Sequence, residues 1–147
     1  MRCLGLDVGD RRIGIAISDP DGRLAVPLET LYRQDRRQDI DTIAALVERE
    51  QVETVVVGLP LSLDGTAGPQ AEQVQEFAVA LRESIAVPVE LWDERLSTVQ
   101  ANHLLRRDSR DRKSSRKGRR EKGATDAMAA TIILGSYLDS KRKPELN

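Results

Sequence analysis

Three apolar stretches crowd the first 31 residues, Arg2–Val8, Arg12–Ser18 and Leu24–Leu31, with little more than turn signals between them. Asp10 and its neighbours make the first connection, and Asp19-Pro20-Asp21-Gly22 is a run of turn formers that makes the second. Strands joined this tightly pair antiparallel, because a parallel pair needs a crossover of a dozen or more residues. The chain therefore opens with a three-strand meander, and all later elements must pack against it.

The rest alternates. Arg36–Glu50 carries Ile40, Ile43, Ala44 and Val47 at helical spacing. Thr54–Gly58 contains Val55-Val56-Val57, the short β-branched run of a strand buried on both faces. Leu59–Gly68, with Pro60, Gly65 and Gly68, reads as a loop. Pro69 suits the first turn of a second helix, whose apolar face is Val74, Phe77, Ala78, Leu81 and Ile85. Val87–Trp92 is a fifth strand. Ser97, three residues before Gln100, resembles a capping box for a short helix through Val99, Ala101, Leu104 and Leu105. A last helix spans about Ala124 to Ser140. The order β-β-β-α-β-α-β-α-α predicts an α/β domain: a mixed five-stranded sheet, meander plus parallel strands, flanked by helices. One domain is expected over residues 1–140, with 141–147 as a C-terminal tail.

Composition narrows the function classes. One cysteine, Cys3, excludes an intramolecular disulfide and a cysteine-based zinc cluster; it reads as a small core residue. His103 is the single histidine, beside Leu104 and Leu105, and reads as packed or surface rather than ligating. With one of each, no Ser-His-Asp or Cys-His nucleophile arrangement is available. No apolar run approaches the ~20 residues that span a bilayer, and the N-terminus enters a strand at once. The expectation is a cytoplasmic protein with no membrane partner.

The net charge of −1 conceals an asymmetry: residues 106–122 carry ten Lys/Arg against three Asp/Glu, a net of +7 that leaves −8 for the remainder. Ser109, Ser114, Ser115 and Gly118 suggest a flexible basic loop. Such a run is the footprint of a polyanion partner. Arg112, Lys113, Arg116, Lys117, Arg119 and Arg120 are the proposed phosphate contacts. The bland reading is a solvated loop. Four aromatic residues, Trp92, Phe77, Tyr32 and Tyr137, leave little capacity for base stacking, so recognition by backbone charge and shape is expected.

Three carboxylates then stand out by placement. Asp7 ends the first strand, Asp93-Glu94 ends the fifth, and Asp126 lies near the start of the last helix. If the first, fourth and fifth strands lie side by side and parallel, their C-terminal ends share one edge, where α/β folds place their sites. Ala127, Ala129 and Ala130 would let the last helix approach that edge closely. Gly9 leaves room beside Asp7 for a metal or phosphate; Gly58, Gly65 and Gly68 would form a loop near nucleic acid. Hard cations such as Mg²⁺ or Mn²⁺ take carboxylate oxygens and leave positions for phosphates, and two such ions hold the attacking and leaving oxygens of phosphodiester cleavage. The competing reading is three solvated acids among the 24 Asp and Glu of the chain.

Four segments, in order, resemble the motifs of the YqgF/RuvX family: LGLDVGDRRIGIAISD (Leu4–Asp19), VVGLPLSLDGTAG (Val56–Gly68), DERLST (Asp93–Thr98) and DAMAATIIL (Asp126–Leu134). The resemblance implies a ribonuclease H-like fold and kinship with Holliday-junction resolvases. It also implies a role in maturing the 5′ end of pre-16S ribosomal RNA. By motif position it makes Asp7, Glu94 and Asp126 the catalytic, metal-binding acids. Related resolvases carry an acid at the end of the fourth strand, where this chain has Gly58-Leu59-Pro60; the acid is displaced to the fifth strand. Strand alternation and the family pattern favour Glu94, with Asp93 as the alternative ligand. Arg95 either pairs with Asp93 or binds the scissile phosphate. The expected partners are pre-ribosomal RNA, branched DNA or both, and paired cuts in a junction would call for a homodimer. A non-catalytic RNA-binding assembly factor on the same fold is the rival.

Overall fold

The structure, a computed structural model, describes residues 1–97 and 116–142, the last helix with its side chains from Asp126 onward. The meander forms as its turn residues require: β1 (Cys3–Val8), β2 (Arg12–Ser18) and β3 (Ala25–Tyr32) pair antiparallel. Helix α1 (Arg36–Arg49), strand β4 (Thr54–Leu59), helix α2 (Pro69–Ser84) and strand β5 (Val89–Asp93) follow. A 3-10 turn, Glu94–Leu96, ends β5, and helix α3 spans Arg116–Lys141. The strand order is β3-β2-β1-β4-β5, with β4 parallel to both β1 and β5. The C-terminal ends of β1, β4 and β5 therefore share one edge. The short helix expected after Ser97 lies outside the described residues, as does His103.

Pleat alternation divides each central strand between two cores. Leu4, Leu6, Ile13, Ile15, Ile17, Val55 and Val57 meet α1 and α2 through Ile43, Leu46, Phe77 and Leu81. Cys3, Ala16 and Val56 meet α3 through Ala129, Ala130, Ile133, Leu134 and Tyr137. Helix α1 is capped by the Asp35 carboxylate, which accepts from the Gln38 amide at 2.8 Å. Arg33 joins three elements. It donates to the buried Asp39 carboxylate at 3.1 Å and to the Gly9 carbonyl at 2.9 Å, and it lies 5.4 Å over the Phe77 ring.

Both sheet edges are interrupted. On β3 the register shifts opposite Ile15 and Ala16, leaving Leu28 as an extra residue next to Pro27, which has no amide to donate. On β5 the Val89 carbonyl accepts two hydrogen bonds from the Arg82 guanidinium, at 3.0 and 2.9 Å.

Helix α3 lies on strand residues without side chains. A Cβ on Gly14 would stand 2.0 Å from the Asp126 carbonyl oxygen, and one on Gly5 would stand 2.7 Å from Leu134 Cβ. Farther along, Trp92 and Tyr137 pack edge to face at 5.6 Å, and Tyr137 donates a short hydrogen bond to the Glu90 carboxylate. Burial first, and that bond second, raise the Tyr137 pKa.

The expectation for the last helix needs correction. It starts at Arg116, so residues 116–122 of the expected basic loop are helical; residues 106–115 lie outside the described set. Arg, Lys and Glu are strong helix formers, and together they outweigh Gly118 and Gly123.

The glycine track gives a test of two signs. Gly14→Ala has no room for its methyl group without parting α3 from β2, and should cost about 3 kcal/mol, the upper end of the usual overpacking range. Gly135, inside α3, has nothing within 4 Å of its added Cβ. Gly135→Ala should therefore stabilise by about 1 kcal/mol through helix propensity. At about 2–4 °C per kcal/mol, thermal melts of the two variants should diverge in opposite directions from the parent.

Candidate active site

Asp7, Glu94 and Asp126 come to the same sheet edge, on the same face. On β1 the residues facing α3 alternate as Cys3, Gly5 and Asp7; on β5 they alternate as Glu90 and Trp92, and Glu94 continues the series. Asp7 pairs in register with Gly14, the glycine on which the Asp126 backbone rests. The acids of β1 and α3 are thus neighbours because a strand position has no side chain. All three are nearly buried, at 8%, 1% and 7% exposure. Charged carboxylates are seldom buried to this degree without compensating groups.

Glu94 reaches the end of β4 from β5. A Cβ on Gly58 would stand 3.1 Å from Glu94 Oε2, 3.3 Å from its Cγ and 2.5 Å from Ile133 Cδ1. The missing side chain at the end of β4 makes the space that the Glu94 side chain enters. Asp93 has the opposite parity. Its carboxylate accepts from the Arg95 amide at 2.9 Å, capping the 3-10 turn, and pairs with the Arg95 guanidinium at 2.7 Å. That guanidinium holds the Asp93 carboxyl below the usual carboxylate range. Arg95 also donates to the Leu63 carbonyl at 3.3 Å, tying the 60–68 loop to the end of β5.

Arg12 is a member of the site that sequence reasoning missed. Its Nε lies 2.5 Å from Asp126 Oδ2. Its sequence signals are a position one residue before the apolar core of β2 and a place inside the Leu4–Asp19 motif. Ser136 was missed as well. It accepts from Trp92 Nε1 at 3.2 Å and donates to the Leu96 carbonyl at 3.1 Å, so α3 holds the turn that bears Glu94.

Gly9 belongs to the β1–β2 turn. Its amide donates to the Arg12 carbonyl at 2.8 Å, and an added Cβ would meet that oxygen at 2.9 Å, so the β1–β2 turn itself requires glycine there. Gly65, with φ of 87°, forms a turn against Arg95, whereas Gly68 caps α2 with open space around it.

Asp126 is the eleventh residue of α3 rather than near its start. The helix continues beyond it by about 15 Å, at 1.5 Å per residue. Arg116, Lys117, Arg119 and Arg120 occupy this extension, while Arg112 and Lys113 lie outside the described residues. Along the axis Arg120 is about 9 Å from Asp126.

The donor set consists of hard oxygens suited to Mg²⁺ or Mn²⁺. Among the described residues no three such side chains are spaced to hold an ion as they stand. The Asp126 carboxylate is turned toward Arg12. The residues match a hard cation in donor chemistry and share one sheet edge.

Comparison with known proteins bears on the family and the fold. The chain is 43% identical over 143 residues to a protein of Halothermothrix orenii, covering 97% of this chain and 98% of the relative. It is 46% identical over 142 residues to one of Caldanaerobacter subterraneus, covering 97% and 99%. Both bear the provisional name of pre-16S rRNA nuclease. Thermus thermophilus RuvC in complex with a Holliday junction substrate superposes with a TM-score of 0.54 at 15% identity, covering 97% of each chain. Fowlpox virus resolvase with its junction DNA does so with a TM-score of 0.54 at 14% identity, covering 97% of this chain and 100% of the resolvase. The fold is thus ribonuclease H-like. The model of the RuvX family, Holliday junction resolvase, matches residues 1–140, and the chain belongs to that family.

Proposed function

We propose that this chain is a divalent-metal-dependent nuclease of structured nucleic acid, cutting pre-16S ribosomal RNA near its 5′ end, four-way DNA junctions, or both. The observation that carries the reading is the gathering of Asp7, Glu94 and Asp126, nearly buried, on one face of one sheet edge. A protein that only bound phosphates would gain nothing from three acids there, because negative charge repels the ligand. Relatives named as pre-16S rRNA nucleases and a family described as junction resolvases support this chemistry.

Asp7, Glu94 and Asp126 would hold one or two Mg²⁺ or Mn²⁺ ions. Bound there, such ions lower the pKa of a water and offset charge at the leaving oxygen. The protein keeps the three carboxylates on rigid elements: Asp7 on a central strand, Asp126 on a helix pressed against Gly14, and Glu94 on a turn held by Ser136. Asp93 acts as the cap of that turn and the partner of Arg95. Arg95, so engaged, positions the 60–68 loop and is a weaker candidate for phosphate contact. The basic residues of α3 and those before it lead phosphates toward the Asp126 side. The whole of residues 1–140 acts as one nuclease domain. Paired cuts in a junction require two copies, whereas one cut in RNA requires one, so light scattering of the protein on each substrate bears on the choice.

Asp7→Asn keeps the shape of the side chain and removes the charge. Single-turnover cleavage of an RNA precursor and a four-way junction in Mn²⁺ should fall by more than the roughly 10–100-fold typical of losing an outer-shell partner. A rate near that of the parent removes the acid site from consideration, whereas no cleavage by the parent itself leaves the RNA-binding assembly factor.

The adjacent acids separate by the same assay. Glu94→Gln should lose as much as Asp7→Asn. Asp93→Asn should lose less than about tenfold, mainly through a loosened turn. The reverse order would transfer the ligand role to Asp93.

For the basic segment, Arg116, Lys117, Arg119 and Arg120 should all be changed to Gln, which keeps helix propensity. If about half of them meet phosphates, the slope of log affinity against log salt flattens by about 1.4–1.8, at 0.7–0.9 per contact. An unchanged slope in a Ca²⁺ salt series would make this segment a solvated bystander.

A further inference from the structure

The Arg12–Asp126 contact places a cation where the proposed function needs a metal. The Asp126 main chain cannot follow an incoming ion, because its carbonyl lies against Gly14. Its carboxylate can move only by side-chain torsion. The Arg12 side chain is 26% exposed, at the first residue of β2, so its guanidinium has solvent to turn into. The pair is not needed to anchor α3. The helix is already held by its contacts at Gly5 and Gly14, the Tyr137–Glu90 hydrogen bond and the Trp92–Ser136–Leu96 chain.

We propose that Arg12 is a displaceable counter-ion: it holds the Asp126 carboxylate in the metal-free protein, surrenders it to a divalent cation, and its freed guanidinium then takes a nucleic-acid phosphate. The inference rests on the metal-dependent reading above. The chemistry favours the exchange. A divalent ion brings twice the charge of a guanidinium and bonds the oxygen directly. The planar guanidinium fork matches a phosphate as well as it matches a carboxylate. While Arg12 holds Asp126, one of the three acids is withheld from a metal. Once a cation has taken it, a positive group stands free at the rim. Cation and phosphate therefore bind cooperatively, and reciprocity requires each to tighten the other by the same factor.

The test measures binding rather than turnover. Ca²⁺ affinity is determined by calorimetry for the parent, Arg12→Gln and Arg12→Lys, without nucleic acid. The affinity of each for a four-way DNA junction and for an RNA hairpin is then measured with and without Ca²⁺. Removing the competitor should tighten Ca²⁺ binding in Arg12→Gln by at least about fivefold, the low end of typical coupling. In the parent, Ca²⁺ should strengthen nucleic-acid binding by a similar factor, and in Arg12→Gln that gain should shrink toward unity. Arg12→Lys keeps the charge without the fork and should fall between the two. It carries the test if Arg12→Gln fails to fold. Equal or weaker Ca²⁺ affinity in a folded variant shows Arg12 to be an anchor and overturns this inference alone. A parent that binds no divalent cation overturns the metal-dependent reading together with it.

Discussion

Backbone rests on backbone where α3 crosses β2, and the geometry of the site follows from that contact. With no side chain at Gly14, the peptide between Asp126 and Ala127 lies against the strand itself. At Gly5 the helix repeats the approach through Ala130 and Leu134. Close approach multiplies dispersion contacts and removes the slack that longer side chains would leave. It also sets the depth of the Asp126 side chain relative to Asp7, whose register partner is that same glycine. A helix held by interdigitating leucines would sit farther out and could shift by fractions of an ångström. One held on a glycine track is fixed from its first buried turn to Tyr137.

Much of this was legible in the sequence. Turn residues gave away the meander, and the Val55-Val56-Val57 run marked a central parallel strand. The periodicities of α1 and α2 matched their buried faces, with boundaries correct to one or two residues. The placement of Asp7, Asp93-Glu94 and Asp126 at strand ends and on an alanine-rich helix was enough to bring them to one edge. What stayed hidden has physical causes. Residues 116–122 read as a loop because charge and small residues signal solvation, although Arg, Lys and Glu also sustain a helix. Arg12 looked like any charged residue beside a turn, since its partner lies 114 positions away.

Glu94 and Gly58 show that a site belongs to a region of space more than to a strand. The Glu94 carboxylate comes from the turn after β5, and Gly58 on β4 makes room for it. The approach is possible because β4 and β5 are adjacent and parallel, with Gly58 in register with Trp92, two residues before Glu94. Neighbouring contacts hold that turn in place: Asp93 caps it, and Ser136 secures it from α3.

The interrupted edges of the sheet bear on how this protein meets other macromolecules. An open strand edge is a template for another strand, and both edges here are poor templates. Pro27 removes a donor from β3 beside its bulge, and Arg82 occupies a carbonyl on the five-residue β5. Sheet-to-sheet extension between copies is therefore discouraged. Any pairing of two copies is directed away from the strand edges.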